Sequence, residues 1–236
     1  MLNGAGYLVY RNGGLQGELG MFYNYILAGN GVFLDCGNAH LNVTMCIAPV
    51  EIRGLEPMNE IVVTRHGLIP RSFYELALST FLIKPIKERF IAVTWDGEKY
   101  SLAYPDQDGN LGNVNYSVPN EIILDMHSHC NMPAFFSGND NRDDQGFKLS
   151  MVLGKVEREP PEYRLRVSAY GYFKELDFQE VFDCTNSTTD LSVPNIIGNL
   201  PSSEPEVPEV GSLSRSPAFF QKMRRSVSSI LTRWKD

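Results

Sequence analysis

The first third of the chain alternates short apolar runs with turn residues, a pattern that predicts strands. Between residues 22 and 62 these runs are rich in β-branched and aromatic residues. MFYNYILAGNGVFLD predicts two strands joined by the Gly-Asn-Gly turn at 29–31, and LNVTMCIAPV predicts another. Residues 1–20 are Gly-rich and weakly patterned, so we expect a loose start. We predict that residues 1–62 form a small β-rich N-terminal unit.

The periodicity changes in LIPRSFYELALSTFLIKP, where apolar residues recur every three or four positions. This spacing predicts a helix, which Pro70 suits in its first turn and Pro85 ends. ERFIAVTWDGEKYSLAYP then predicts two strands around an Asp-Gly turn, and DQDGNLGN predicts a polar loop. VNYSVP predicts a short strand, and EIILDM has the length of a buried one.

Further along, GNDNRDDQ predicts a short helix, and FKLSMVLG and YRLRVSAYGYF each predict a strand. This order of elements predicts an α+β fold (layered α/β) over residues 63–185, with a mixed sheet and flanking helices. Residues 186–213 have the Ser, Pro, Asn and Glu composition of a disordered linker. Residues 214–236 predict a basic amphipathic helix, which could dock on its own domain, bind a partner or lie on a membrane surface.

Composition narrows the class of protein. The 236 residues are 43% hydrophobic and 21% charged, as in ordinary globular proteins, and the net charge of −7 argues against a general nucleic-acid binder. The four cysteines form no CxxC pair, which favours a reducing, cytoplasmic setting. We expect neither a signal peptide nor a spanning helix, because the sequence has no matching apolar run.

Candidate chemistry is concentrated in DMHSHCNMPAFFSGND, residues 125–140. In a strand, alternate side chains point to the same side, so His127 and His129 present two imidazoles together while Ser128 faces away. If Ser137 caps the following helix, Asp140 lies in its first turn and can project toward the histidines. Ser-x-x-Asp by itself is also a simple capping pattern. Two imidazoles and one carboxylate are a common catalytic zinc set, with a fourth position open for water.

The spacing His-x-His-x7-Ser-x2-Asp resembles the JAMM motif of the JAB/MPN metalloprotease family. The resemblance implies a mixed sheet with flanking helices, and zinc ligands at His127, His129 and Asp140. It also implies that Ser137 stabilises an oxyanion. A carboxylate would act as the general base, which we assign to Glu88, three residues after the proline that ends the predicted helix. Glu75 is the competing carboxylate, but it lies inside that helix.

Over residues 25–182 the chain resembles more particularly the protein A family of the PRTRC system, a bacterial gene cassette. AGNGVFL, RGLEP and the segment from DMHSHC to VLGKV carry this similarity. The cassette also encodes ubiquitin-like, ThiF-like and ParB-like proteins. The resemblance therefore implies a ubiquitin-like partner, with E1/ThiF-like and E2-like proteins of the cassette as further partners.

Other side chains have two open interpretations each. Cys130 could be an extra metal ligand or a small side chain, and we favour the latter. Asp125 and Asp144 could fix the histidine tautomers or lie on the surface. Phe135 and Phe136 could line a groove or pack under the loop, with packing favoured.

The remaining histidines and one tryptophan are expected to be structural. We expect His40 and His66 in loops or turns, and Trp95 in the core.

The function stays open among three hypotheses. The favoured hypothesis is a zinc isopeptidase or peptidase that acts at the C-terminal tail of a ubiquitin-like protein. The alternatives are a catalytically silent MPN scaffold and a metal hydrolase of a non-protein amide.

Overall fold

The structure is a computed structural model that describes residues 3–83, 85–104 and 121–185, together with the backbone of 195–197. The first part of the chain forms a six-stranded sheet with the order β2-β1-β3-β4-β5-β6. Its strands are β1 (Ala5–Arg11), β2 (Gly14–Glu18), β3 (Tyr23–Ala28), β4 (Gly31–Gly37), β5 (Leu41–Pro49) and β6 (Ile61–Thr64). The strands predicted on both sides of the Gly-Asn-Gly turn, and the strand after them, are confirmed.

The expectation of a loose start is wrong, because β1 and β2 pair as an antiparallel hairpin. Asn12 and Gly13 join them with positive φ angles of 54° and 70°. Two central residues with positive φ give a turn whose twist matches that of paired strands, and Asn-Gly adopts it readily. β1 also pairs with β3 in parallel, which incorporates the hairpin in the sheet.

A seven-stranded sheet follows, with the order β13-β12-β11-β10-β8-β9-β15. Its strands are β8 (Phe90–Trp95), β9 (Tyr100–Ala103), β10 (Ile122–Ser128), β11 (Phe147–Gly154), β12 (Glu162–Ala169), β13 (Tyr172–Glu175) and β15 (Asn195–Ile197). The short strands β7 (Ile69–Pro70) and β14 (Phe182–Asp183) pair with each other. The helices are α1 (Arg71–Ile83), α2 (Gly138–Asp143) and α3 (Phe178–Val181).

The larger sheet is mixed, as the sequence predicted: β10 and β11 are parallel, as are β9 and β15, and the other pairs are antiparallel. The helical flanking is more modest than expected, because among the described residues only α1 exceeds two turns. YRLRVSAYGYF contains two strands rather than one, since Tyr170 and Gly171 turn the chain with positive φ angles of 49° and 88°.

The predicted linker needs one correction. Residues 195–197 form β15 against the edge strand β9, because an unpaired strand edge offers main-chain hydrogen bonds and the Ile-Ile pair favours extended backbone. The predicted loop and strand between residues 105 and 120, and the basic helix at 214–236, lie outside the described residues.

The two large sheets share one hydrophobic core. The amphipathic helix α1 contributes Phe73, Ala77 and Phe81, which pack with side chains of the first sheet and of β8 and β10–β12. β6 pairs with β5 and crosses the boundary that we predicted between residues 62 and 63. The β-rich unit is therefore packed against the sheet that carries the candidate site. In the part of the chain that the structure describes, no helix has the length and apolar character needed to cross a membrane.

Candidate metal centre

The candidate site lies where two parallel strands of the larger sheet end. β10 pairs with β11 in parallel, with His127 opposite Val152. His129 follows the end of β10, and its main-chain N–H donates to the Leu153 carbonyl at 2.7 Å. Because this bond continues the pairing beyond the strand, the two imidazoles are held on one edge of the sheet, with ring centroids 5.2 Å apart.

The third member of the site comes from the N-terminus of α2. Ser137 is the N-cap, and its Oγ accepts a hydrogen bond from the Asp140 main-chain N–H at 3.2 Å. Oδ2 of Asp140 accepts in return from the Ser137 N–H at 2.6 Å. This reciprocal capping box satisfies two helix N–H groups and fixes the side chain of Asp140. The hydroxyl proton of Ser137 is not used by either bond.

His127, His129 and Asp140 each offer a ligand atom, and these atoms lie within 4.8 Å of one another. Nε2 of His127 and Nδ1 of His129 are buried and have no hydrogen-bond partner. A buried polar atom without a partner is costly, and a cation between the two nitrogens and the carboxylate would satisfy all three groups. The donor set therefore fits a divalent metal. No second cluster of this kind occurs among the described residues.

The electrostatic surroundings favour the neutral imidazole of His129, which is the form that coordinates a metal. Burial and the neighbouring His127 lower the pKa of His129, although Glu88 and Asp140 oppose this shift. Its imidazole is then neutral at neutral pH, and only a neutral imidazole can coordinate a metal.

Glu88 reaches the same edge of the sheet from β8. The antiparallel β8–β10 ladder ends with His127 paired to Phe90, and Glu88 precedes Phe90 by two residues at the same edge of the sheet. The Ser128 N–H donates to the Arg89 carbonyl at 3.0 Å and extends this pairing. Glu88 is half-buried, and its charge acts on the pKa of both His129 and Cys130. The competing Glu75 forms an exposed ion pair with Arg71 at 3.0 Å on α1.

Cys130 stands beside the cluster but is not a member of it. Its φ of 55° is in the left-handed region. Burial first, and the charge of Glu88 second, raise the pKa of its thiol. The position of Cys130 outside the ligand cluster, with a positive φ, agrees with its interpretation as a small side chain at a tight turn.

Asp125 and Asp144 are both buried, so the surface interpretation is wrong. Lys148 pairs with Asp125, and its Nζ is 2.9 Å from Oδ1 of Asp144. Oδ2 of Asp144 accepts from Nη2 of Arg166 at 2.7 Å. Burial alone would raise the pKa of Asp144, but Lys148 and Arg166 bring it below its usual value. Both carboxylates therefore belong to a buried ion network between β10, β11, β12 and the end of α2.

Sequence reasoning missed the two basic members of this network. Lys148 and Arg166 lie in segments correctly predicted as strands, but they alternate there with the core residues Leu149 and Val167, so the strand pattern gave no signal of their burial. The favoured packing role is confirmed for Phe136, whose ring lies 3.6 Å from the Arg166 guanidinium. Phe135 is instead 45% exposed and contacts the His129 ring edge-on at 4.7 Å.

His40 and His66, outside the site, lie in a bend and a turn, as expected, and they contact each other. Nδ1 of His40 lies 2.9 Å from Nε2 of His66, and Nε2 of His40 lies 3.4 Å from Glu121. The His66 ring stacks on Trp95 at 3.8 Å. Trp95 itself is partly buried and packs against the main core.

Fold and site together define a mixed-sheet protein with a three-residue candidate metal centre at the ends of two parallel strands. Residues 119–168, which include both histidines, the capping box and the buried ion network, match the prokaryotic homologs of the JAB domain. This segment of the chain is thus similar to a JAB domain. No curated protein matches the chain.

Proposed function

We propose that this protein is a zinc-dependent peptidase or isopeptidase that hydrolyses an amide bond at the C-terminal tail of a ubiquitin-like protein. The observation that carries the proposal is the cluster of His127, His129 and Asp140, with two buried nitrogens that have no hydrogen-bond partner. The similarity of residues 119–168 to JAB domains supports the same chemistry, since that family includes JAMM hydrolases.

The proposed ligands are the two histidines and Asp140. Zinc held there would polarise the scissile carbonyl and lower the pKa of a coordinated water close to 7. Glu88 accepts the proton of the attacking water and delivers it to the leaving amine, as its position at the same edge of the sheet and its electrostatic effect on His129 allow. The Ser137 hydroxyl donates to the developing oxyanion, because its proton is not used in the capping box.

The substrate class rests on the resemblance to the PRTRC protein A family rather than on the geometry of the site. In such a cassette a ubiquitin-like protein would be processed or removed from a target, and E1/ThiF-like and E2-like proteins would act on it as well. Phe135 supports a peptide substrate, because its exposed ring stands directly beside His129 and offers an apolar wall for an extended tail.

The test uses the full chain, freed of metal with a chelator and then supplied with one equivalent of zinc. The ubiquitin-like protein of the same cassette, extended at its C-terminus by a short peptide, is the substrate. We expect one tightly bound zinc and cleavage at the junction, both lost in His127→Ala. Glu75→Gln is the matched control and should bind and cleave like the wild type, because Glu75 is exposed on α1.

The outcomes separate the three hypotheses. A wild-type chain that binds no zinc, or cleavage that survives His127→Ala, contradicts the proposal. Zinc binding without cleavage of the ubiquitin-like substrate favours a hydrolase of another amide. A biological function that survives both Asp140→Ala and Glu88→Gln favours a scaffold.

A further inference from the structure

Helix α2 carries a proposed metal ligand but has no hydrophobic anchor. It is six residues long, and none of its side chains is buried. A helix this short is not stable by itself, so tertiary contacts must hold it in place. The position of Asp140 relative to the histidines on β10 therefore depends on polar contacts that link α2 to the sheet.

One side chain of the sheet makes contacts along the whole of α2. Nη1 of Arg166, on β12, donates to Oδ1 of Asn141 at 2.6 Å, and Nη2 donates to Oδ2 of Asp144, the C-cap, at 2.7 Å. The Arg166 guanidinium also lies 3.6 Å from the ring centroid of Phe136, which directly precedes the N-cap. Arg166 therefore contacts the residue before the N-cap, a residue within the helix and the C-cap.

The guanidinium is itself tightly held. Arg166 is only 4% exposed, and its guanidinium also lies 4.2 Å from the ring centroid of Phe173 on β13. A planar guanidinium that contacts two rings, with two donors in use, has little rotational freedom. It can fix the position of a short helix more firmly than a flexible lysine could.

We propose that Arg166 is a positioning residue that sets the Asp140 carboxylate against His127 and His129, and so determines the metal affinity of the site. The inference rests on the proposed function, because it takes these three residues as the ligands. Partners outside the ligand set typically change metal affinity by 10- to 100-fold when they are removed. We expect a loss of roughly this size when Arg166 is replaced.

The test measures zinc affinity by competition with a chromophoric chelator, independently of activity. Arg166→Met keeps an unbranched apolar side chain and removes the guanidinium with its donors. Arg164→Met is the matched control, since Arg164 lies on the same strand and forms an exposed pair with Glu175 at 3.5 Å. We expect zinc binding to weaken about 10- to 100-fold in Arg166→Met and to stay at the wild-type value in Arg164→Met.

A second measurement distinguishes positioning from a general loss of structure. If Arg166 acts through Asp140, then Arg166→Met should have little further effect in an Asp140→Ala background. If Arg166→Met weakens zinc binding equally in the wild-type and Asp140→Ala backgrounds, the proposal is overturned. It is also overturned if a folded Arg166→Met chain binds zinc with wild-type affinity. A wild-type chain that binds no zinc overturns the proposed function instead, and this inference with it.

Asn141→Ala provides a variant that keeps the buried ion network. It removes one acceptor of Arg166 on α2 and leaves the bond from Arg166 to Asp144 in place. If Arg166→Met does not fold, the zinc affinity of Asn141→Ala tests the positioning role of Arg166 instead. Weaker zinc binding that disappears in the Asp140→Ala background supports the proposal, and unchanged binding overturns it.

Discussion

Oδ1 of Asp140 lies 3.5 Å from Nε2 of His127, although the two residues belong to different elements and are thirteen positions apart. The second oxygen of Asp140 accepts a hydrogen bond in the capping box of α2. The same carboxylate therefore caps the N-terminus of the helix and faces an imidazole. Helix capping and metal binding are therefore compatible roles of one side chain.

Glu88 is predicted to act in proton transfer and not in metal binding. Glu88→Gln should retain the zinc affinity of the wild type and lower the hydrolysis rate by about 10²- to 10⁴-fold, because the amide cannot accept the proton of the attacking water. Zinc titration and the rate of substrate cleavage measure the two effects separately. Loss of zinc binding in this variant would show that Glu88 is a ligand.

Ser137 is predicted to affect both stability and activity. Ser137→Ala removes the side-chain cap of α2 and should lower the free energy of unfolding by about 1 kcal/mol. It should also slow cleavage about 10²-fold or more, since one oxyanion donor is lost. Ser137→Thr is the control, because threonine keeps both the cap and the hydroxyl. A rate that follows the stability of the variants alone would contradict an oxyanion role.

Lys148 is predicted to be essential for the buried ion network. Lys148→Met leaves Asp125 and Asp144 with one cation fewer in a buried setting and should cost about 3–5 kcal/mol in the free energy of unfolding. Lys155→Met, which removes a half-exposed pair with Glu162, should cost about 1 kcal/mol or less. Urea denaturation measures both. Equal losses would mean that the network is no more important than a surface pair.

Gly154 is predicted to tolerate no side chain. A Cβ at this position, at the end of β11, would lie 2.2 Å from the main-chain nitrogen of Ala134, in the loop between His129 and Ser137. Gly154→Ala should therefore cost about 1–3 kcal/mol through overpacking and weaken zinc binding as the loop moves. Gly138→Ala, which meets no atom within 4 Å at the start of α2, should be neutral or slightly stabilising.

The stability of the protein should depend on pH through His66. Burial first, and the neighbouring His40 second, lower the pKa of His66 below the ordinary histidine value of 6.5. The unfolded chain thus binds this proton more readily, so the contribution of His66 is present above pH 6.5 and is lost as the pH falls through the lower, folded pKa. Glu121, which contacts His40, and Tyr100, edge-on to the His66 ring, are the other titratable groups here.

The measurement compares the wild type with His66→Phe, which keeps an aromatic ring for stacking on Trp95. The wild type should lose more unfolding free energy between pH 7.5 and pH 5.5 than the variant does. If the difference between the two proteins is the same at both pH values, His66 is not the group responsible.

Local patterns predicted most of the elements. The helix over residues 71–83 and the buried strand before His127 followed from periodicity and from turn residues, since each depends on neighbours within one element. The first hairpin was missed because its Gly-rich context obscured the Asn-Gly turn. The spacing of the histidines, Ser137 and Asp140 likewise indicated a candidate site, because both the strand end and the helix cap lie within sixteen residues.

The sequence by itself thus determined which local elements form and which three side chains could share one metal. Only the tertiary structure decided what holds those side chains together. Lys148 and Arg166 lie outside the motif, and a single strand segment carries no signal for their buried partners. Pairing of β10 with β8 and β11 places Glu88 and the histidines at one edge, and such pairing depends on packing between distant segments.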